Sequence, residues 1–341
     1  MSSSDATRSS CTLSVVVVNC NGASELGYCL DSLIDSDPKP EQIILVDNGS
    51  SDDSLSVARA RLVQEPMLRI ISLSRNEGLN VARNIGIENA LGDLVAFIDN
   101  DAVVKADWIA RALETMNEWG ADALQCKLLV KSNPGLIDSV GYLIGPFGFP
   151  RQIARPGEPD CELLNRPRLL FGAKGAGMIF RKDLLLRIGG FDPSFFLYGD
   201  ETDLFWRVFR AAGSVALAPG SIVFHSAGGT RRFLSSTAED LLYRGGTRNY
   251  IRMIVKNVHP TRLLWDLLGQ IMVWLGVVGY QACRGNLRAA SLVLRGIVEG
   301  VSEVPRLWSA RRDDPLPFRV VPSTLRAALT FDYVRQTARA I

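Results

Sequence analysis

Within its first third the chain runs Leu94-Val95-Ala96-Phe97-Ile98-Asp99-Asn100-Asp101. Five consecutive apolar residues read as a short buried strand. Two carboxylates one residue apart stand at its mouth. Hard divalent cations take oxygen ligands, and a cation held there can in turn hold the phosphates of a nucleotide. The ordinary alternative is a turn built from turn-forming residues. Asp35-Ser36-Asp37 has the same spacing with no strand before it, and reads as a loop. The neighbouring segments decide between these readings for Asp99-Asn100-Asp101.

Upstream, Leu13-Ser14-Val15-Val16-Val17-Val18 is a β-branched run, the pattern of a strand buried on both faces. The loop Asn19-Cys20-Asn21-Gly22 follows, then a helical stretch with Leu26, Leu30, Leu33 and Ile34 on one face. Pro38 and Pro40 end it. Ile43-Ile44-Leu45-Val46 is a second strand, closed by Asp47-Asn48-Gly49-Ser50-Ser51-Asp52, where Ser51 or Asp52 can cap a helix through Ala58 and Leu62. Leu68 to Leu73 is a third strand, and Asn76-Glu77-Gly78 opens a helix through Val81, Ile85 and Ala90. Alternating strands and helices predict a mainly parallel sheet wrapped by helices. In such sheets the ligand lies beyond the carboxyl ends of the strands. Asn19, Asp47, Asp99 and Asp101 therefore converge on one crevice. No G-x-G-x-x-G follows the first strand and no Walker A sequence is present, which argues against dinucleotide and P-loop chemistry.

Downstream, residues from Gly135 to Gly157 are rich in Gly and Pro and read as loops at the rim of the site. The glycines of Phe171-Gly172-Ala173-Lys174-Gly175-Ala176-Gly177 suit either close substrate approach or tight packing. Tyr198-Gly199-Asp200-Glu201-Thr202-Asp203-Leu204 places three acids in the first turn of a helix. Acids there are ordinary dipole partners, but the surrounding aromatics would desolvate a carboxylate and make it a better base. Helical spacing predicts that Asp200 and Asp203 share a face while Glu201 diverges. His225 closes the strand Ser221-Ile222-Val223-Phe224. A neutral imidazole there suits a metal, and Arg231 and Arg232 beyond it suit phosphate oxygens.

Of 341 residues, 47% are hydrophobic and 22% charged, a composition that excludes a disordered chain. The net charge of +2 conceals an asymmetry. Residues 1–243 carry 23 Lys and Arg against 30 Asp and Glu, and residues 244–341 carry 15 against 6. The six cysteines form no C-x-x-C pair and fit a reducing cytosol. Residues 1–11 are polar, lack signal-peptide features and are expected to be disordered.

Together these motifs resemble the inverting family 2 glycosyltransferases of GT-A fold. The resemblance rests on Val18-Asn19-Cys20-Asn21-Gly22, Val46-Asp47-Asn48-Gly49-Ser50, Asn76-x-Gly78-x-x-x-Ala82-Arg83-Asn84-x-Gly86, Asp99-Asn100-Asp101 and Asp200-Glu201-Thr202-Asp203-Leu204 followed by His225. Their wording is similar to rhamnosyltransferase-like members. The resemblance implies a catalytic domain over residues 12–237. In it Asn19, Asp47, Asn76, Arg83, Asp99, Asn100 and Asp101 bind a nucleotide sugar. Asp101, His225 and Asp99 hold Mg²⁺ or Mn²⁺ on the diphosphate. A carboxylate among Asp200, Glu201 and Asp203 deprotonates the acceptor. Relatives carry Glu-Asp where this chain has Asp200-Glu201, so Glu201 falls at the position of the usual base.

Residues 238–341 read as a basic, amphipathic helical region. A helix from Ala238 to Val258 is interrupted at Gly245-Gly246, with Ile251, Ile254, Val255 and Val258 on one face and Arg248, Arg252 and Lys256 on its flank. That pairing suits a helix lying in a membrane interface, the alternative being a solvated face on a helix packed against the catalytic domain. Leu267 to Cys283 is almost uncharged and short of the ~20 residues that span a bilayer, which favours a buried or interfacial helix. Leu292 to Val304 forms a further helix with Gly296-x-x-x-Gly300. The expected enzyme moves a sugar to a lipid-linked or polysaccharide acceptor. It is cytoplasmic and peripheral on the inner face of the cell membrane, bound to an anionic membrane surface. A nucleotidyltransferase would need a Gly-rich loop with a Lys after the first strand, and none is present. A nucleic-acid binder would interleave aromatics with its basic residues, whereas these accompany aliphatic helices. A catalytically weak membrane-bound scaffold would have lost its acids, yet Asp101, Glu201, Asp203 and His225 are all present.

Overall fold

A computed structural model describes residues 11–63, 65–196, 198–226 and 239–327. Residues 1–10 of the segment expected to be disordered, and Arg231 and Arg232, lie outside the described residues. In chain order the first body contains β1 (Leu13–Asn19), α1 (Ala23–Ile34), β2 (Gln42–Asp47), α2 (Ser54–Leu62), β3 (Leu68–Ser72), α3 (Leu79–Asn89), β4 (Leu94–Asp99) and β5 (Ala102–Val104). It continues with α4 (Trp108–Trp119), β6 (Ala123–Val130), β7 (Asn133–Ser139), β8 (Tyr142–Ile144), β9 (Pro150–Gln152), β10 (Leu169–Leu170), β11 (Gly177–Arg181), α5 (Lys182–Arg187), α6 (Asp200–Arg210) and β12 (Val215–His225). A π-helical turn, Asp240–Gly245, leads into α7 (Gly246–Asn257), α8 (Pro260–Cys283), α9 (Leu287–Ser302) and α10 (Val304–Ala310).

β8 and β9 form a separate two-stranded sheet, and the other ten strands form one large sheet in the order β10-β12-β6-β11-β4-β1-β2-β3, with β5 added on β12 and β7 on β6. Its β4-β1-β2-β3 half is parallel, as the β-α alternation predicts. β11 runs antiparallel between β4 and β6, and β6 returns parallel to β12, so the whole sheet is mixed. The β-branched runs alternate between two cores. Val15, Val17, Ile43 and Leu45 pack with α1 and α4 on one face. Val16, Ile44 and Val46 pack with α3, α5 and α6 on the other. A period of two residues on a sheet covered on both sides has this consequence.

Each strand and helix read in the first hundred residues is present. The N-cap of α2 is Asp53 rather than Ser51 or Asp52, and it makes no side-chain capping bond; Asp52, one residue before it, accepts from Ser54 N at 3.0 Å and from Ala23 N at the start of α1. Ser36 of the Asp35-Ser36-Asp37 loop accepts from Trp108 Nε1 at 2.9 Å and anchors α4. The Gly135–Gly157 stretch is a correction. It holds the strand β7, paired antiparallel with β6, and the β8–β9 hairpin. All six cysteines are free thiols.

The basic flank of α7 is a second correction, because it does not face outward. Arg252 is buried, donating to Ser194 Oγ at 2.7 Å and pairing with Glu303 at 3.3 Å. Lys256 pairs with Asp192 at 2.5 Å and Asp203 at 3.0 Å. Carboxylates far away in sequence neutralise these cations, which the spacing along one helix does not reveal. Met253, Ile254, Val255 and Val258 join the core shared with α6. Gly296 and Gly300 of α9 lie against Arg244, Thr247 and Ile251, so that motif brings α9 close to the turn and helix before it. The helix, though not the uncharged run, extends N-terminally of Leu267 through Asp266 and Arg262, and α8 is 24 residues long.

Candidate active site

Register explains why the crevice forms. Asn19 aligns with Asp47 across β1 and β2, and Val18 aligns with Asp99 across β1 and β4. The last residues of three parallel strands therefore end level. Asn19 Nδ2 donates to Asp47 Oδ1 at 3.1 Å, and Asn19 Oδ1 accepts from Asn100 Nδ2 at 2.6 Å. Ser50 Oγ donates to Asp47 Oδ1 at 2.6 Å. Asn19 and Asp47 are thus buried and bonded to their neighbours, and they set the shape of the loops around the crevice. Asn76 Oδ1 accepts from Asn48 Nδ2 at 3.0 Å and from Gly78 N at 2.9 Å, which ties the start of α3 to the loop after β2.

Asp101 and His225 are 124 positions apart, and β5 joins them. It leaves Asp101 at its start and pairs antiparallel with β12, His225 opposite Ala102. His225 Nε2 lies 3.2 Å from Asp101 Oδ1 and 3.7 Å from Asp99 Oδ2. Ligand atoms of Asp99, Asp101 and His225 all fall within 4.8 Å of one another. Two carboxylate oxygens and one imidazole nitrogen at this separation suit Mg²⁺ or Mn²⁺. The Nδ1 side of the ring was not read from sequence. Asp138 Oδ2 lies 2.9 Å from it, and Lys174 Nζ donates to both oxygens of Asp138 at 2.8 and 2.7 Å. Asp138 sits on β7, inside the stretch read as loop, and no local pattern marks it. Burial opposes a charged imidazolium, but hydrogen bonds to Asp101 and Asp138 prevail and raise the His225 pKa to about 9.

On the other side of the crevice stands Arg83 of α3. Its guanidinium is buried, 5.0 Å from the ring centroid of Phe191. Arg83 Nη2 lies 3.7 Å from Asp99 Oδ1 and 3.7 Å from Glu201 Oε1, while Nη1 lies 3.6 Å from Asp200 Oδ2. These are ion-pair distances, and Nη1 is buried with no hydrogen-bond partner. Asp200 and Glu201 therefore share one cation, and the expected pairing of Asp200 with Asp203 is corrected. Tyr198 and Gly199, both at positive φ, turn the chain sharply into α6 and aim its first two acids at Arg83. Asp203 points the other way. It is fully buried, accepts from Arg207 Nε at 2.9 Å and from Asn257 Nδ2 at 2.8 Å, and is not brought into the crevice.

Glu201 Oε1 accepts from Gly175 N at 2.8 Å. A side chain at Gly175 would collide with both Glu201 and Arg83, so close approach explains that glycine. Burial raises the Glu201 carboxyl, the charge of Asp200 adds to the rise and Arg83 opposes it, leaving a pKa of about 7. Burial likewise raises Asp200. A carboxyl poised near neutrality and partly open to solvent is a suitable proton acceptor.

Comparison with known proteins agrees with this geometry. A family model described as glycosyl transferase family 2 matches residues 14–185. The succinoglycan biosynthesis protein ExoM of Rhizobium meliloti is 24% identical over 230 residues, covering 66% of this chain and 69% of that protein. Glycosyltransferase AglE of Haloferax volcanii is 31% identical over 112 residues, covering 32% of this chain and 37% of that one. Among solved structures, GalNAc-T7 with UDP, GalNAc and Mn²⁺ superposes with a TM-score of 0.64 at 17% identity, over 91% of this chain and 55% of that chain. TarS of S. aureus (residues 1-349) superposes at 0.54 and 17% identity, over 89% of this chain and 91% of that one. These likenesses establish the GT-A fold, an α/β sheet with a helical C-terminal region.

Proposed function

The chain belongs to glycosyl transferase family 2, and from that premise we propose that it is a metal-dependent, inverting glycosyltransferase of cell-envelope glycan synthesis. The donor is a nucleoside-diphosphate sugar, rhamnose being the sugar that the motif wording favours. The acceptor is a hydroxyl of a lipid-linked or polysaccharide chain. One observation carries the reading: Asp99 and Glu201 flank the same nitrogen of Arg83. The metal-ligand set and the poised carboxyl are thereby one guanidinium apart.

Asp99, Asp101 and His225 would hold Mg²⁺ or Mn²⁺, which when bound neutralises the charge of the departing diphosphate. Arg83 Nη1, buried and without a hydrogen bond, has donor capacity left for a phosphate or sugar oxygen. Glu201 takes the proton of the acceptor hydroxyl as that oxygen attacks the anomeric carbon opposite the diphosphate, inverting it. Asp200 stays beside Arg83 and holds the guanidinium in place. ExoM, named for succinoglycan biosynthesis, and the Mn²⁺-bound neighbour GalNAc-T7 support the reading.

The test is a thermal-shift panel of nucleotide sugars with and without Mn²⁺. A ligand that binds only the folded chain raises its stability with concentration. One donor should raise the midpoint in the presence of the metal and release its nucleoside diphosphate when acceptor is supplied. No shift with any nucleotide sugar would overturn the proposal.

A further inference from the structure

Helix α8 has its polarity reversed. Its polar side chains Asp266, Gln270 and Gln281 are 6%, 0% and 9% exposed, on the face packed against the protein. Gln270 Nε2 donates to Phe147 O at 2.9 Å, and Asp266 pairs with Arg262 at 3.1 Å. The opposite face carries Leu264, Trp265, Leu268, Met272 and Leu275, with Trp265 73% and Met272 68% exposed. A helix on a water-facing surface has the opposite arrangement, and a contiguous exposed apolar face marks an interaction surface.

We infer that the outer face of α8, with the adjoining edge of α9, is where this protein lies on an anionic bilayer. Arg284 borders the C-terminal end of the apolar stripe, while Arg262 at the other end is already paired with Asp266, and Trp265 and Tyr280 are near its ends. α9 packs beside α8 and exposes Leu294 and Val298 next to Arg295. Arginines at the border of an apolar face complement acidic headgroups while the stripe enters the acyl boundary. By length and composition α8 could cross a membrane. Gln270 Nε2 and Gln281 Nε2 nonetheless donate to Phe147 O and Tyr243 Oη on the body, and these bonds keep the helix in the membrane plane. The membrane-facing element is thus α8, not the α7 flank suggested by charge spacing.

Trp274 on the inner face of α8 stacks near Phe149 and Tyr250, with centroids 5.8 and 6.1 Å away. Docking stands on the polarity of α8 alone, whereas delivery of a lipid-linked acceptor to Glu201 rests on the transferase reading.

The test is flotation of the full chain with phosphatidylcholine vesicles, with and without phosphatidylglycerol, and Mn²⁺-dependent UDP and GDP binding measured in parallel. The wild type should float with the anionic vesicles. Leu268→Glu/Met272→Glu should stay in the lower fraction. Arg284→Gln/Arg295→Gln should lose about 30-fold in partitioning, from a roughly fivefold effect per charge. Both variants alter exposed side chains and should keep the wild-type melting curve and nucleotide binding. Wild type that does not float, or a Leu268→Glu/Met272→Glu protein that floats equally well, overturns the inference. So does a wild-type dimer that the same pair of substitutions dissociates, which would assign the face to a second copy. Resistance to alkaline carbonate extraction would make α8 a span and overturn the in-plane placement. Flotation by a chain that shows no shift with any nucleotide sugar of the thermal panel supports docking while removing the transferase reading.

Discussion

Asp138 Oδ2 stands 2.9 Å from His225 Nδ1, which turns the other ring nitrogen toward Asp101. A carboxylate behind a metal-ligating imidazole fixes the ring and raises its basicity, and losing one typically lowers metal affinity by roughly 10- to 100-fold. Asp138→Asn should therefore weaken Mn²⁺ binding by about that factor, measured by calorimetry without donor. Unchanged affinity would show that the ring is held by packing alone.

Asp101→Ala should abolish metal-dependent binding of a nucleoside diphosphate while leaving the melting curve near that of the wild type. Asp101 directly precedes β5 at the mouth of the crevice, and its side-chain partner in the site is His225. Titrations with and without EDTA give the comparison. Equal diphosphate affinity in both, for the wild type, would refute the metal assignment.

Glu201→Gln keeps the shape of the side chain and removes its basicity. Loss of a general base costs roughly 10²–10⁴-fold, so kcat should fall by about that factor with donor affinity nearly unchanged. The pH profile supplies an independent check. The carboxyl titrates at about 7 and accepts a proton only when ionised. Wild-type kcat/KM should therefore rise with pH and level off above about 7, and the Gln variant should lose that limb.

Asp203→Asn should act on stability. The carboxylate is fully buried between Arg207 and Lys256, and removing one partner of a buried pair costs about 3–5 kcal/mol. Urea denaturation should show a loss of that order, with nucleotide binding preserved in the folded fraction. Burial works to raise the Asp203 pKa, but Lys256 and Arg207 hold it below the usual range. Its stabilisation is thus present above the unfolded carboxyl pKa of about 3.9 and is lost as pH falls through the lower folded value. Should Asp203→Asn fold normally and lose turnover while Glu201→Gln keeps it, the base is Asp203.

Local sequence determined the first hundred residues almost completely. The β-branched runs at Leu13, Ile43 and Leu94 could only be strands covered on both faces, and their ends carried Asn19, Asp47 and Asp99 to one edge. The turn of α6 also carried its acids openly. What one residue type at one spacing does not encode is orientation toward partners far along the chain. Asp200 and Glu201 meet at Arg83 rather than diverging, because a left-handed pair before α6 sets the direction of its first turn. Asp138 became visible only when β7 folded against β6 and met His225 on β12. Arg252 and Lys256 read as a solvent-facing flank until Ser194, Asp192 and Asp203 were in place to bind them. In α8 composition showed an apolar helix, but only packing decides which side is covered. Hydrogen bonds from Gln270 to Phe147 and from Gln281 to Tyr243 hold this face against the protein, and that leaves the leucines, Trp265 and Met272 outside.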